Sequence, residues 1–206
     1  MTNHRGHLIA AAALLANLSA AAAGAQTPSQ LNPAGRGTEL GGSIGVADAA
    51  ADTGVVIAGS ADWRLTRWLA IEAAGGWFAR GPDHNGTSAD IGLLVNLVPK
   101  RRTTPYVGVA FGLYRTTIDA DAAGVPAFYT RRMHGDEAVA DGARTFTDPA
   151  WRLSTGVDFI SRRNISVRPE TSVVFVRRHG ITDTITTLGI RLGFAFEDHP
   201  VTPAVR

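Results

Sequence analysis

From Glu39 onward the chain repeats one pattern about eight times: segments of roughly ten residues in which apolar positions alternate with small or polar ones. Ile91, Leu93, Val95 and Leu97 alternate with Asp90, Gly92, Leu94 and Asn96, and Val107, Val109, Phe111 and Leu113 with Tyr106, Gly108, Ala110 and Gly112. A strand turns successive side chains to opposite faces, so each segment reads as a strand with one apolar face. The predicted strands are Glu39–Ala47, Thr53–Leu65, Trp68–Ala79, Ser88–Val98, Pro105–Thr116, Ala150–Ile160, Ile165–Arg177 and Thr184–Phe196. Connections after the second, fourth and sixth strands are short turns: Thr66-Arg67, Pro99 to Arg102, and Ser161 to Asn164. At the opposite end Thr117 to Pro149 makes a much longer connection, with room for a short helix or a hairpin extension.

The two faces differ in kind. One parity carries Ile57, Trp63, Leu69, Ile71, Trp77, Leu93, Val95, Val107, Phe111, Leu153, Val157, Phe159, Val167, Val173, Phe175, Leu188, Ile190, Leu192 and Phe194, with no charge among them. The other is dense in Gly, Ala and Ser, with scattered charges such as Glu72, Arg168 and Arg191. A narrow lumen filled by its own side chains needs such small residues; a solvated exterior does not. Aromatic residues gather near both strand ends: Trp63, Trp68, Tyr106, Phe159, Phe194 and Phe196 at one, Trp77, Phe78, Tyr114, Trp151 and Phe175 at the other. Two such clusters are the girdles of a membrane-spanning barrel. The fold class expected is therefore all-β: an eight-stranded antiparallel up-and-down transmembrane β-barrel.

The N-terminus sets the compartment. Residues 1–25 have a short polar start with Arg5, an Ala/Leu-rich run and an Ala23-Gly24-Ala25 cleavage site, which together read as a signal peptide. Residues 26–38 read as a flexible lead-in, 39–197 as the barrel and 198–206 as a tail. The absence of cysteine removes disulfides, thiolate metal sites and a lipoprotein anchor. Net charge is +2, Lys100 is the only lysine, and the arginines are scattered, so no nucleic-acid patch forms.

The stretches DWRLTRWLAIEAAGGW (Asp62 to Trp77), TPYVGVAFGLY (Thr104 to Tyr114), NISVRPE (Asn164 to Glu170) and GIRLGFAFE (Gly189 to Glu197) resemble the OmpA-like eight-stranded outer-membrane barrels. The resemblance covers Glu39 to Glu197 and implies an outer-membrane location and insertion by the barrel assembly machinery. It does not extend to a C-terminal peptidoglycan-binding domain, for which nothing after Phe196 suffices.

Inward parity brings together Asp62, Arg64, Glu72, Arg152, Asp158, Arg168, Glu170 and Arg191. Buried charges must be paired, so these residues neutralise the lumen; the resemblance adds that exchange between pairs could gate a small pore. Arg131 and Arg132, in the loop 117–149, are the candidate external contacts, to lipid phosphates or a surface protein. His84, His134 and His179 fall in three predicted loops near Asp83, Asp136 and Asp183, without ligand spacing in any one of them. No G-x-S-x-G elbow or His-x-Ser pairing is present, and Gly41-Gly42-Ser43-Ile44-Gly45 lacks the helix a phosphate loop needs. The sequence thus leads to a non-enzymatic barrel without cofactor or metal, in contact with outer-membrane lipid and lipopolysaccharide, with a structural or surface-interaction role. A narrow gated pore is one alternative. A periplasmic lipocalin-like carrier, with the apolar face turned inward, is another.

Overall fold

Eight strands, each antiparallel to its sequence neighbours, close into a barrel when β1 pairs with β8. The computed structural model describes residues 37–49, 53–80, 84–98, 103–119, 128–130, 143–162, 164–178 and 180–196. The strands are β1 (Thr38–Ala49), β2 (Thr53–Arg64), β3 (Leu69–Ala79), β4 (His84–Asn96), β5 (Thr103–Asp119), β6 (Ala143–Arg162), β7 (Ile165–Arg178) and β8 (Ile181–Ala195). An even count returns the chain to the rim it left, where the Phe196 amide donates to the Thr38 carbonyl at 2.7 Å. The signal-peptide, lead-in and tail assignments, and Arg131 and Arg132, lie outside the described residues.

The alternation sorts the faces as the sequence predicts. Large apolar side chains of the outer face and its rim turns, from Leu40 and Ile44 to Phe194 and Phe196, leave between 38% and 62% of their surface open. A water-soluble protein rarely exposes a contiguous apolar patch larger than a few hundred Å²; here apolar surface girdles the molecule, as lipid requires. On β5 the outward residues from Pro105 to Leu113 are apolar and Arg115 ends the run. Eight residue steps of about 3.4 Å, tilted by about 40°, cover about 20 Å of membrane normal, near the roughly 25 Å apolar band of outer-membrane barrels. The carrier alternative fails on this point, because the aliphatic face lies outside and the charges inside.

Several expectations need correcting. Val157 has outward parity beside Pro105, yet is only 2% exposed, so parity alone does not give its accessibility. Tyr106, Phe78 and Tyr114 are not girdle residues: all three point inward and are buried. The girdles that remain are Trp63, Trp68, Phe159, Phe194 and Phe196 at the rim of the termini, and Phe111, Trp151 and Phe175 in register with Trp77 nearby at the other. His84 is not in a loop but opens β4, four residues before the predicted start.

The long connection is the largest difference. β5 and β6 continue as a ladder to the pair Asp119↔Ala143, and residues 128–130 form a helical turn. Thr117, Thr145 and Thr147 face outward there. Above the lipid the outward positions turn polar while Ile118 and Phe146 still point inward, so the apolar outer stripe that marks the strands lower down disappears while their hydrogen bonding continues. Thr66 Oγ1 accepts from the Trp68 and Leu69 amides at 3.1 Å in the β2–β3 turn, and Gly180 takes φ 81° in the β7–β8 turn, a conformation glycine adopts freely.

Candidate functional site

Inward-facing side chains fill the barrel in two layers of opposite chemistry. The layer nearer the termini is ionic. Arg168, on β7, donates to Asp62 at 2.9 Å and Glu39 at 3.2 Å, with Asp158 3.7 Å away. Its guanidinium also stands 5.1 Å from the centre of the Tyr106 ring, a cation–π contact. One step deeper, Glu72 on β3 is 1% exposed and bridges two arginines, taking Arg152 at 2.5 Å on one oxygen and Arg191 on the other. Arg152 extends to Asp90 at 2.7 Å, and Arg191 to Glu170 at 3.0 Å and Ser60 at 3.0 Å. The Tyr106 hydroxyl donates to Glu170 and joins the two sub-clusters. Arg64 is half-buried at the foot of β2 with the same inward parity.

All eight predicted lumen residues therefore lie on the inner wall, seven of them in one set of bridged pairs. The structure adds Glu39, Asp90 and Tyr106. Parity carried back from Gly41 places Glu39 inward, and parity with Gly92 does the same for Asp90; both signals were present in the sequence. Small residues make the room. A Cβ on Gly193 would collide with the Glu39 carboxylate and Ser166 hydroxyl, and one on Gly156 with the Pro169 carbonyl and the Tyr106 hydroxyl.

Toward the far rim the filling becomes apolar. Phe78, Tyr114, Ile118, Phe146, Val174, Val176 and Ile185 converge from five strands. Phe128 and Tyr129, from the helical turn, drop into the mouth above them and are 6% and 0% exposed. Tyr129 packs edge-on against His84 with ring centres 5.8 Å apart and tilts against Phe146 at 5.6 Å. Burial pushes the Tyr129 hydroxyl well above the usual phenol range, which keeps it neutral. Arg80 and Asp183 form a buried pair at 3.1 Å in the same region, and His84 Nε2 lies 2.8 Å from Thr116 Oγ1. Asp183 is engaged by Arg80 and His84 by Thr116; His134, His179, Asp83 and Asp136 lie outside the described residues. No group of three or more metal-ligating side chains occurs among the described residues.

Between the layers lies a cavity of about 60 Å³, bordered by Ser60, Ser88, Asp90, Arg152, Thr187 and Arg191 among others. A water needs on the order of 10–15 Å³ of such space and a few polar partners. The cavity fits a few waters and is far too small to be a solute channel. The lumen is closed below by ion pairs and above by rings.

Comparison with known proteins agrees with this architecture. The model of the outer membrane protein beta-barrel domain family matches residues 8–199. Among solved structures, Neisserial surface protein A is similar at 12% identity and TM-score 0.60, covering 77% of this chain and 97% of that one. OprG from Pseudomonas aeruginosa is similar at 9% identity and TM-score 0.51, covering 80% and 99%. The outer membrane enzyme PagL aligns at 12% identity and TM-score 0.44, covering 77% and 99%. No curated protein matches the chain.

Proposed function

Because this chain belongs to the outer membrane protein beta-barrel domain family, we propose that it acts as a sealed, non-enzymatic outer-membrane barrel that supports the envelope and presents its far rim to lipopolysaccharide or a surface partner. The observation that carries this reading is the double closure of the lumen by the Glu72-centred ion pairs and the Phe128–Tyr129 plug. A barrel so filled has its outer wall and rims left to work with. Its described histidine, His84, is turned into the mouth against Thr116 and away from lipid, which favours a role without catalysis.

A gated pore is the second reading. Arg191 lies 3.8 Å from Asp62 as well as against Glu72 and Glu170, and Arg152 lies 4.0 Å from Glu170, so alternative pairings are within reach. A strain lacking the protein separates the two. The sealed-barrel reading expects greater sensitivity to detergents and bile salts, with unchanged entry of a chromogenic β-lactam into the periplasm. Slower β-lactam entry with an intact detergent barrier would replace it with the pore.

A further inference from the structure

We propose that Arg115 and Arg177, on the outer wall just above the lipid-facing belt, bind the phosphates of an outer-leaflet glycolipid. The assignment rests on the outer-membrane reading above, with the far rim external. Both side chains are exposed with outward parity. Arg115 lies two positions above Leu113 on β5, and Arg177 two above Phe175 on β7. The aromatic row Phe111–Trp151–Phe175, paired across β5, β6 and β7, runs next below Arg177 and, with Leu113 between, below Arg115. The Phe111 and Trp151 rings touch, with centres 4.8 Å apart. Aromatic rows of this kind mark the lipid–water boundary, so the two guanidiniums stand at headgroup depth.

Neither guanidinium meets a carboxylate among the described residues, in contrast to the arginines of the lumen. What faces them is hydroxyl. Arg115 pairs in register with Thr87 and Thr147, and the hydroxyls of Thr117 and Thr145 lie 3.1 Å apart one row higher. A groove of about 270 Å³, lined by Asn85, Gly86, Thr87, Arg115 and Thr117, opens on this wall. The ladder pairs Val176 with Ala150, and continued by one residue it sets Arg177 level with Pro149. Arg115 is level with Thr147, one row above. Two strand spacings and one row place the Cα atoms about 12 Å apart. Two cations at that spacing, with hydroxyls and an amide beside one of them, fit a sugar headgroup carrying a phosphate at each end. Arginine is the side chain suited to such anions, through paired N–H donors.

The test is binding of bisphosphorylated lipid A, and of the same lipid after enzymatic dephosphorylation, to the detergent-purified full chain, read by native mass spectrometry. A cationic contact at a membrane surface is worth about five-fold in affinity. Arg115→Gln and Arg177→Gln should each weaken the phosphorylated lipid about five-fold, and the double variant about thirty-fold. The wild type should hold the dephosphorylated lipid as weakly as the double variant holds the phosphorylated one. Equal wild-type affinity for the two lipids, or an undiminished affinity in the double variant, would overturn the proposal. Equal competition by phosphatidylglycerol would overturn the glycolipid assignment. The two-lipid comparison uses wild type alone, so a variant that fails to fold leaves the test intact. Failure here with the barrel still embedded leaves the sealed-barrel reading standing, because the strain assay decides that separately.

Discussion

Glu72→Gln is the sharpest perturbation of the account. The carboxylate is 1% exposed and shared by Arg152 and Arg191. The amide keeps the shape and one acceptor oxygen but loses the charge, and it turns an N–H₂ group toward a cation. Removing one partner of a buried ion pair costs about 3–5 kcal/mol. Both arginines keep a second carboxylate, Asp90 for Arg152 and Glu170 for Arg191, so the cost should fall at the lower end, about 3 kcal/mol. With a urea slope of about 2 kcal/mol per molar, the unfolding midpoint in lipid vesicles should drop by about 1.5 M. Tryptophan emission reads the transition, because Trp63, Trp77 and Trp151 are lipid-facing and become wet on unfolding. A midpoint within about 0.2 M of wild type would refute the reasoning, since it would mean that water already solvates the pair. A double variant that also replaces Arg191 with Met should recover part of the loss, because it removes the excess positive charge that Glu72→Gln leaves in the buried cluster.

Depth along the outer wall should set the cost of a charge: Leu153→Arg, half exposed in the belt, should cost about 2–4 kcal/mol in vesicles, against about 0–1 for Thr147→Arg above it. Equal costs, measured by urea unfolding, would misplace the belt. Packing should split the glycines. Gly112→Leu would drive a side chain into the Ala89 carbonyl and Asp90, whereas Gly42→Leu meets open space; only the first should abolish the faster gel mobility of the unboiled protein. Closing the mouth raises the Tyr129 pKa, so the closed state holds that proton more tightly than the open one. The plug is therefore fully stable below the ordinary phenol range near pH 10 and loses stability as pH climbs above it. Tyrosinate absorbance should show this residue titrating late and together with plug release. A Tyr129→Phe variant with the same late phase would assign that phase to another tyrosine.

How legible was this molecule in its sequence? The belt and the closed barrel follow from period-two alternation alone, because lipid on one side and a narrow lumen on the other sort every residue by size and polarity. The ionic layer was legible for the same reason: a charge on the small-residue parity has nowhere to go but inward. Phe128 and Tyr129 were not legible. They lie in a stretch with no periodicity, and their burial depends on packing against His84 and Phe146, contacts between residues far apart in sequence. The upper part of the β5–β6 hairpin was missed because alternation reports a difference between two solvents. Above the membrane the outer face meets water and carries Arg115, Thr117, Thr145 and Thr147, so only scattered inward residues such as Ile118 and Phe146 stay apolar. Tyr106, Phe78 and Tyr114 were misassigned because an aromatic near a strand end serves a girdle or a lumen equally well by composition, and parity decides between them.

The central claim is that the lumen is sealed, and planar-bilayer recording of the purified wild-type protein tests it most directly. The account predicts a silent membrane at moderate voltage, and silence again for Glu72→Gln, because the plug of Phe128, Tyr129 and Phe146 still closes the mouth. Discrete conductance steps from the wild-type protein, with ion selectivity altered by Glu72→Gln, would contradict it and make the lumen a pore.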